Sequence, residues 1–312
     1  MSDEEKFGLC PLDAAYAACR AIARREAKNF YYAFVALPKP RRDAICAIYA
    51  FMRLADDLAD DERFTREQRR KNLEAWMLDW HGVCKSGGSA NAVFMAVRDA
   101  VDRFQIPLSL LDELVAGVTM DLDSADDSRE PDTYATFADL YHYCYLVASV
   151  VGLVTIRIFG YSDKRAEKLA EETGIAFQLT NILRDVAEDA ARNRIYLPLE
   201  DLKAHQVSVD SLIDHATGAP PSEHERALFA EIAQRAESFY RSTDALLPLI
   251  DRESRPALRV LVSIYHELLK RIEQANYDVF SQRASVPTTQ KLSILAGGMA
   301  RMGLMRLLPG RK

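Results

Sequence analysis

Apolar residues recur at three- and four-residue spacing along almost the whole chain, and the strict alternation of a half-buried strand is hard to find. That period admits one broad class of fold, all-α. Breakers divide the pattern at Leu37-Pro38-Lys39-Pro40, Gly87-Gly88-Ser89, Pro107, Pro131, Pro198, Gly218-Ala219-Pro220-Pro221, Pro256 and Pro287. The spacing between them predicts about ten helices. No polar linker, shift of composition or repeat of fixed period separates two halves, so residues 1–312 are read as a single domain. Two long helical stretches stand out, 134–159 and 163–191, with Gly152 and Gly174 inside them. Glycine there costs about 1 kcal/mol against alanine, which calls for close helix packing or for room beside a bulky ligand.

Charge narrows the partners. A net charge of −6 supplies no basic field, so nucleic acid is excluded as an expected partner. The five cysteines (Cys10, Cys19, Cys46, Cys84 and Cys144) are odd in number and form no CxxC pair. They read as reduced thiols of a cytoplasmic protein. The N-terminal residues are acidic and show no apolar stretch behind a basic start, so no secretory signal is expected. The longest apolar stretch, 145–156, stops at Arg157 and falls short of the roughly 20 residues that span a bilayer. No transmembrane helix is expected.

Two segments carry chemistry. In the first, Tyr49, Arg53, Asp56 and Asp60 fall within a stripe roughly 60° wide on one helix face. In the second, Gln178, Asn181, Asp185 and Asp189 form a stripe roughly 80° wide, with Arg184 and Glu188 to one side. Like charges one turn apart destabilise a helix unless something positive lies between them. Either pair alone reads equally as a solvated helix face. A buried salt-bridge network is a third account, but the local acids outnumber the bases. Together, two matched DxxxD stripes of oxygen ligands suit hard divalent cations with a polyanion between them. Diphosphate fits, with Arg53, Arg184 and Arg194 as bidentate partners, and the chemistry implied is ionisation of a carbon–diphosphate bond.

Other classes lose ground on particular absences. There is no GxxxxGK[ST] loop and no GxGxxG turn after a strand, so neither a nucleotide triphosphatase nor a dinucleotide site of those types is read here. A di-iron carboxylate bundle needs Glu-x-x-His pairs. No histidine has Glu three residues before it, and Asp139-x-x-His142 stands alone. A non-catalytic lipid-binding bundle accounts for the apolar interior but not for two matched aspartate stripes.

Further segments surround these stripes: Asn29-Phe30-Tyr31-Tyr32-Ala33-Phe34, Leu37-Pro38, Ala47-Ile48-Tyr49, 143–152, Arg194-Ile195-Tyr196-Leu197-Pro198 and Asn276-Tyr277-Asp278-Val279-Phe280. In this combination the chain resembles the squalene and phytoene synthase family, the head-to-head prenyltransferases, over residues 27–291. The resemblance implies a single-domain isoprenoid-synthase (terpene synthase-like) helical bundle with a central cavity lined by the two DxxxD motifs. It implies magnesium, with manganese as a substitute, held by Asp56, Asp60, Asn181, Asp185 and Asp189. Arg53, Arg184 and Arg194, with Lys28, would bind phosphate oxygens, and Gln178 lies on the same face. Phe30, Tyr49 and Tyr143, with Tyr196 and Tyr265, would line the prenyl channel and shield carbocations. The implied reaction ionises one prenyl diphosphate, adds the double bond of a second, and loses a proton to close a cyclopropyl diphosphate.

Within that family, 134–141, 148–154 and Ile158-Phe159-Gly160-Tyr161 most resemble the bacterial presqualene diphosphate synthases of hopanoid pathways. Two farnesyl diphosphates are the expected substrates, and NADPH enters only if the reaction continues to squalene. The segments near the C-terminus are shared with bacterial phytoene synthases, which makes two geranylgeranyl diphosphates the alternative. Residues 292–308 are apolar with Arg301 and Arg306, so peripheral association at the inner face of the membrane is one reading and a core or dimer helix the other. Downstream isoprenoid enzymes are the expected protein partners.

Overall fold

The computed structural model describes residues 10–124, 132–216 and 218–307. The first helices are α1 (Leu12–Glu26), α2 (Lys28–Val35), α3 (Lys39–Ala59), α4 (Arg66–Ser86), α5 (Ala92–Phe104) and α6 (Leu108–Ser124). Next come α7 (Phe137–Cys144), a π-helical turn (Tyr145–Ser149), α8 (Val150–Phe159) and α9 (Arg165–Ala190). The last are α10 (Leu199–Ala204), α11 (Val209–His215), α12 (Glu223–Leu246), α13 (Arg255–Gln274) and α14 (Thr288–Leu307). The chain is therefore all-α, with fourteen α-helices among the described residues rather than about ten. The excess lies in α2, α10 and α11, of 8, 6 and 7 residues, which are too short to show a period.

The ends of these helices follow from local chemistry. Pro38 precedes α3 and Pro40 lies in its first turn, where a missing N–H does no harm. Thr65 caps α4, which ends on a left-handed Gly87, and Asn91 caps α5. Capping boxes open α7 (Thr136 with Asp139) and α12 (Ser222 with Glu225). The box gives Asp139 its role and leaves His142 exposed.

α9 lies at the centre, with α12 along one side and α8 with the π turn along another. α1 packs on α3 and α5, while α13 packs on α2 and α14. Phe51 of α3 is fully buried against Trp76 and Trp80, at 4.5 and 5.3 Å between ring centroids. It stands about 140° around the helix from Asp56 and about 180° from Asp60. Burial of Phe51 therefore points the acidic stripe away from this packing, with Asp56 half-buried and Asp60 exposed. One pair of two-residue strands, β1 (Asp132–Thr133) and β2 (Arg194–Ile195), runs parallel with Asp132 opposite Arg194. Cys19, Cys46 and Cys144 are buried, Cys10 and Cys84 half-buried, and all five are free thiols.

The run from Phe137 through the π turn to Phe159 corrects the expectation about membrane-spanning length. It is 23 residues long and contains an 18-residue window of mean hydropathy 1.6, long and apolar enough to cross a membrane by those two measures. The sequence reading began at Tyr145 and so left out α7. In the fold this run is a core element: α8 touches α3, α6 and α9, Val150 and Val154 are fully buried, and Arg157 pairs with Glu167 at 2.9 Å. The glycines are explained by close approach. A Cβ on Gly174 would stand 2.5 Å from Ser149 Cα in the π turn, and one on Gly152 would stand 3.0 Å from the Ala170 carbonyl oxygen. No side chain fits at Gly174 without moving backbone.

Candidate active site

Three helices end at one place. Asp56 and Asp57 occupy the last turn of α3 and Asp60 is its C-cap; Asp121 lies in the last turn of α6; Asp185, Glu188 and Asp189 close α9. A helix C-terminus already carries about half a negative charge, and each exposed acid placed there is unfavourable by roughly 0.3–1 kcal/mol. Three such ends stacked with carboxylates form a strongly negative centre.

The carboxyl groups register that field. Burial pushes Asp56 up to about 7, with Asp60, Asp121 and Asp57 adding to it against the pull of Arg53. Asp189 is also pushed up to about 7, first by burial and then by Asp185, against Arg194 and Arg192. Asp121 is raised by burial and by Asp60, opposed by the Tyr143 hydroxyl and Arg194. Asp185 is the exception: burial would raise it, but Arg184 and Arg283 outweigh that and hold it below the usual carboxylate range. Arg184 Nε donates to Asp185 Oδ1 at 2.8 Å, and Arg283 reaches the same oxygen through Nη2 at 2.7 Å.

The other residues close a ring around this centre. Tyr143 is buried and its hydroxyl donates to Asp121 Oδ1 at 3.0 Å; Tyr196 stacks on it at 5.0 Å and approaches the same oxygen at 3.4 Å. Arg194 Nη2 lies 3.4 Å from the Asp121 carbonyl oxygen, and Arg194 and Asp189 interact electrostatically. On the far side, Tyr265 stacks on Phe177 at 4.4 Å and packs on Phe30 at 5.7 Å, while Tyr49 meets Phe34 edge-on at 6.2 Å. Burial pushes Tyr49 and Tyr196 up to about 12, so both stay protonated donors. Tyr49 is linked electrostatically to Arg53, Asp56 and Tyr265, and Tyr265 to Arg184 and Asp185. Arg53 donates to Asp57 on its own helix. Gln178 accepts from Asn181 Nδ2 at 3.3 Å. Lys28 opens α2, and its side chain lies outside the described residues.

Within this ring lies space that solvent reaches. α8 is flanked by α3, α6 and α9, yet Val151 and Leu153 are only half-buried, as are Phe30, Tyr49, Asn181 and Arg184. Aromatic and apolar groups thus border the acidic centre.

The donor set fits a hard cation. Every ligand offered is oxygen, and Asn181 Oδ1 is buried without a partner. Among the described residues no three acidic, histidine or cysteine side chains come close enough to hold one ion. A cation here would take one or two carboxylates and complete its shell with phosphate and water, which is the habit of magnesium.

Two residues of the ring escaped the sequence reading. Asp121 sits in Met120-Asp121-Leu122-Asp123, an acidic helix end like the other two, but it has no aspartate four residues before or after it to mark it. Arg283 lies in the irregular segment between α13 and α14, where no period operates. That segment begins with two left-handed residues, Asn276 (φ 52°) and Tyr277 (φ 57°). It is pinned where the Phe280 ring meets Phe229 and His215, at 5.8 and 5.7 Å. The sequence marker available was the Asn276–Phe280 segment itself, which turns the chain back so that Arg283 lands on Asp185 and, at 3.2 Å, on Glu188.

Comparison with known proteins agrees with this architecture. The family model for squalene/phytoene synthase matches residues 23–290. A 15-cis-phytoene synthase of Synechococcus elongatus is 33% identical over 305 residues, covering 94% of this chain and 95% of its own. A phytoene synthase of Mycobacterium tuberculosis is 33% identical over 294 residues, covering 94% and 93%. Among solved structures, a dehydrosqualene synthase in complex with ligand superposes with a TM-score of 0.80 at 30% identity, covering 94% of this chain and 98% of that one. The squalene synthase HpnC of Alicyclobacillus acidocaldarius shares the fold, with a TM-score of 0.76 at 24% identity over 86% of this chain and 97% of its own. The match over residues 23–290, nearly the whole chain, places it in the squalene/phytoene synthase family of prenyltransferases.

Proposed function

We infer that the chain condenses two farnesyl diphosphates head to head into presqualene diphosphate, releasing one diphosphate and one proton. The observation that carries this reading is the convergence of three acidic helix C-termini beside a half-buried aromatic wall. A polyanion bridged by cations belongs at the first, and a hydrocarbon chain and its carbocation at the second. Magnesium, when bound by Asp56, Asp60, Asp185 and Asp189 with Asn181, would withdraw charge from the diphosphate and make it a better leaving group.

The chain's own residues do the rest. Arg53, Arg184, Arg194 and Arg283 ring the acids and are placed to take phosphate oxygens as bidentate donors, exchanging Asp57 and Asp185 for substrate. Phe30, Tyr49 and Tyr265 shield the allylic cation left when the carbon–oxygen bond breaks and its electron pair leaves with diphosphate. The second substrate's double bond attacks that cation, and the proton lost on ring closure needs an acceptor. Tyr143 offers one: its phenol oxygen can take that proton as its own passes to Asp121, a carboxyl already raised by burial. Cytoplasmic work against the inner face of the membrane, beside the enzymes that use the product, suits substrates and products this apolar.

A second reading has a specific observation behind it. The curated relatives reported above are both named phytoene synthase, which favours two twenty-carbon substrates, and the same residues serve that reaction. Incubating the purified protein with magnesium and either farnesyl or geranylgeranyl diphosphate, with and without NADPH, and identifying the products decides between them. Consumption of neither substrate would refute both.

A further inference from the structure

The segment Asn276-Tyr277-Asp278-Val279-Phe280 places no side chain in the ring of acids, arginines and tyrosines, yet its residues divide one task. Asn276 and Tyr277 take left-handed angles just past α13, and the Tyr277 N–H donates to the Ile272 carbonyl at 3.0 Å, which closes the helix and turns the chain back. The Asp278 carboxylate accepts from the Ser281 N–H at 3.0 Å and holds the turn that follows. Val279 and Phe280 are buried, as is Val286, while Arg283 between these anchors is exposed.

The anchor at Phe280 is built by two helices that send nothing into the site. Its ring meets Phe229 of α12 on one side and His215, the last residue of α11, edge-on at 69° on another. The imidazole is fixed in turn, with Nδ1 2.9 Å from both carboxylate oxygens of Glu225. Glu225 is only 1% exposed. Its Oε2 accepts from the Ser222 N–H at 2.7 Å and the Ser222 hydroxyl at 2.8 Å, whereas Oε1 has, besides His215, the Ser211 hydroxyl at 3.4 Å. A buried carboxylate oxygen left so poorly partnered requires a donor, so Nδ1 carries its proton toward Glu225 and the plane of the ring is set.

A line of contacts therefore runs from the capping box of α12 through His215 and Phe280 to Arg283. Its value lies in what Arg283 does. Arg283 rests on Asp185 and Glu188, and it gives up Asp185 when it turns to a phosphate. A long exposed side chain that changes partners keeps its place only if its backbone is fixed, and ordering it beforehand is worth affinity. Phe280, three residues away, is a fixed point that does not change.

We propose that His215, held by Glu225, is a positioning residue for diphosphate binding: it seats Phe280, and Phe280 aims Arg283 at the phosphate oxygens of the substrate. The inference rests on the catalytic reading for the identity of that anion.

Calorimetric titration of the full chain with inorganic diphosphate in the presence of magnesium tests it. Arg283→Gln should weaken binding roughly tenfold or more. His215→Ala/Glu225→Gln removes the imidazole without stranding a buried charge and should weaken binding roughly threefold or more, as should Phe280→Leu. Circular dichroism checks that each variant folds. Added to Arg283→Gln, the His215→Ala/Glu225→Gln change should weaken binding no further; added to Arg194→Gln, its effect should multiply. Wild-type affinity in His215→Ala/Glu225→Gln, beside a loss in Arg283→Gln, overturns the positioning role alone. An equal further loss in both arginine backgrounds also overturns it, because it marks a general loosening of the fold. Wild-type affinity in Arg283→Gln overturns the proposal together with the placing of Arg283 among the phosphate partners.

Discussion

Replacing Asp56 by asparagine should stabilise the metal-free protein while destroying its activity. Asn matches the volume of Asp and removes only the charge. Burial and the neighbouring acids move this carboxyl from 3.8 to about 7, so between those values the folded state holds a proton that the unfolded chain releases. Stability is therefore lost as pH rises from about 4 to about 7, and the full penalty remains above that. About three pK units at 1.36 kcal/mol each set a ceiling of about 4 kcal/mol, and water reaching a half-buried group brings the expected value nearer 2. For a chain of this size that is roughly 4 °C in Tm. Thermal unfolding followed by circular dichroism in EDTA at pH 8 should show Asp56→Asn melting above the wild type, with the difference shrinking as pH approaches 4. Added magnesium should raise the wild type at pH 8 and leave the variant nearly unmoved. A variant that melts at or below the wild type in EDTA at pH 8, or a gain independent of pH, would refute the argument that these carboxylates are held at a cost in stability.

Asp185 should behave with the opposite sign. Its carboxyl is held below the usual range by Arg184 and Arg283, so its contribution is present above about pH 4 and fades as pH falls through the lowered value; Asp185→Asn should lower Tm in EDTA at pH 8 by an amount equivalent to about 1–3 kcal/mol, because two arginines lose an acceptor. Tyr143→Phe removes the donor on Asp121 and should reduce kcat roughly 10- to 100-fold with KM changed far less, measured by steady-state product formation. Gly174→Ala puts a Cβ 2.5 Å from Ser149 Cα and should destabilise by about 1–3 kcal/mol, read as a lower midpoint in urea.

Periodicity gave the helices, and the amphipathic projection gave both aspartate stripes, because each lies on one long helix whose other face is buried. Phe51 opposite Asp60 shows why such projection works: packing of one face dictates where the other points. What stayed hidden depends on relations between helices. Asp121 has no partner on its own helix, and its meaning comes only from the arrival of Tyr143, Tyr196 and Arg194 from distant segments. Arg283 sits on an irregular segment shaped by two left-handed residues, where no spacing rule predicts direction. Gly174 was visible as a defect in a helix, but that the π turn fills the gap is a matter of tertiary contact. The helical stretch 134–159 was legible, but its apolar part was measured only over 145–156 because Arg157 reads as a boundary until Glu167 is seen to pair with it.

The π turn can also be seen as a length problem. Five residues, Tyr145–Ser149, make a wider turn than an α-helix would, which amounts to one residue inserted into an otherwise regular run. Ahead of it Tyr143 points at Asp121, and at its end Ser149 Oγ donates to the Glu171 carbonyl at 2.7 Å. Deleting one residue from the turn would restore an unbroken α-helix and rotate everything before it by about 100° relative to everything after. Tyr143 would leave Asp121 while the hydrophobic second half stayed seated. A one-residue deletion here should therefore separate folding from catalysis, whereas deletions in the flanking loops should leave the aim of the tyrosine untouched.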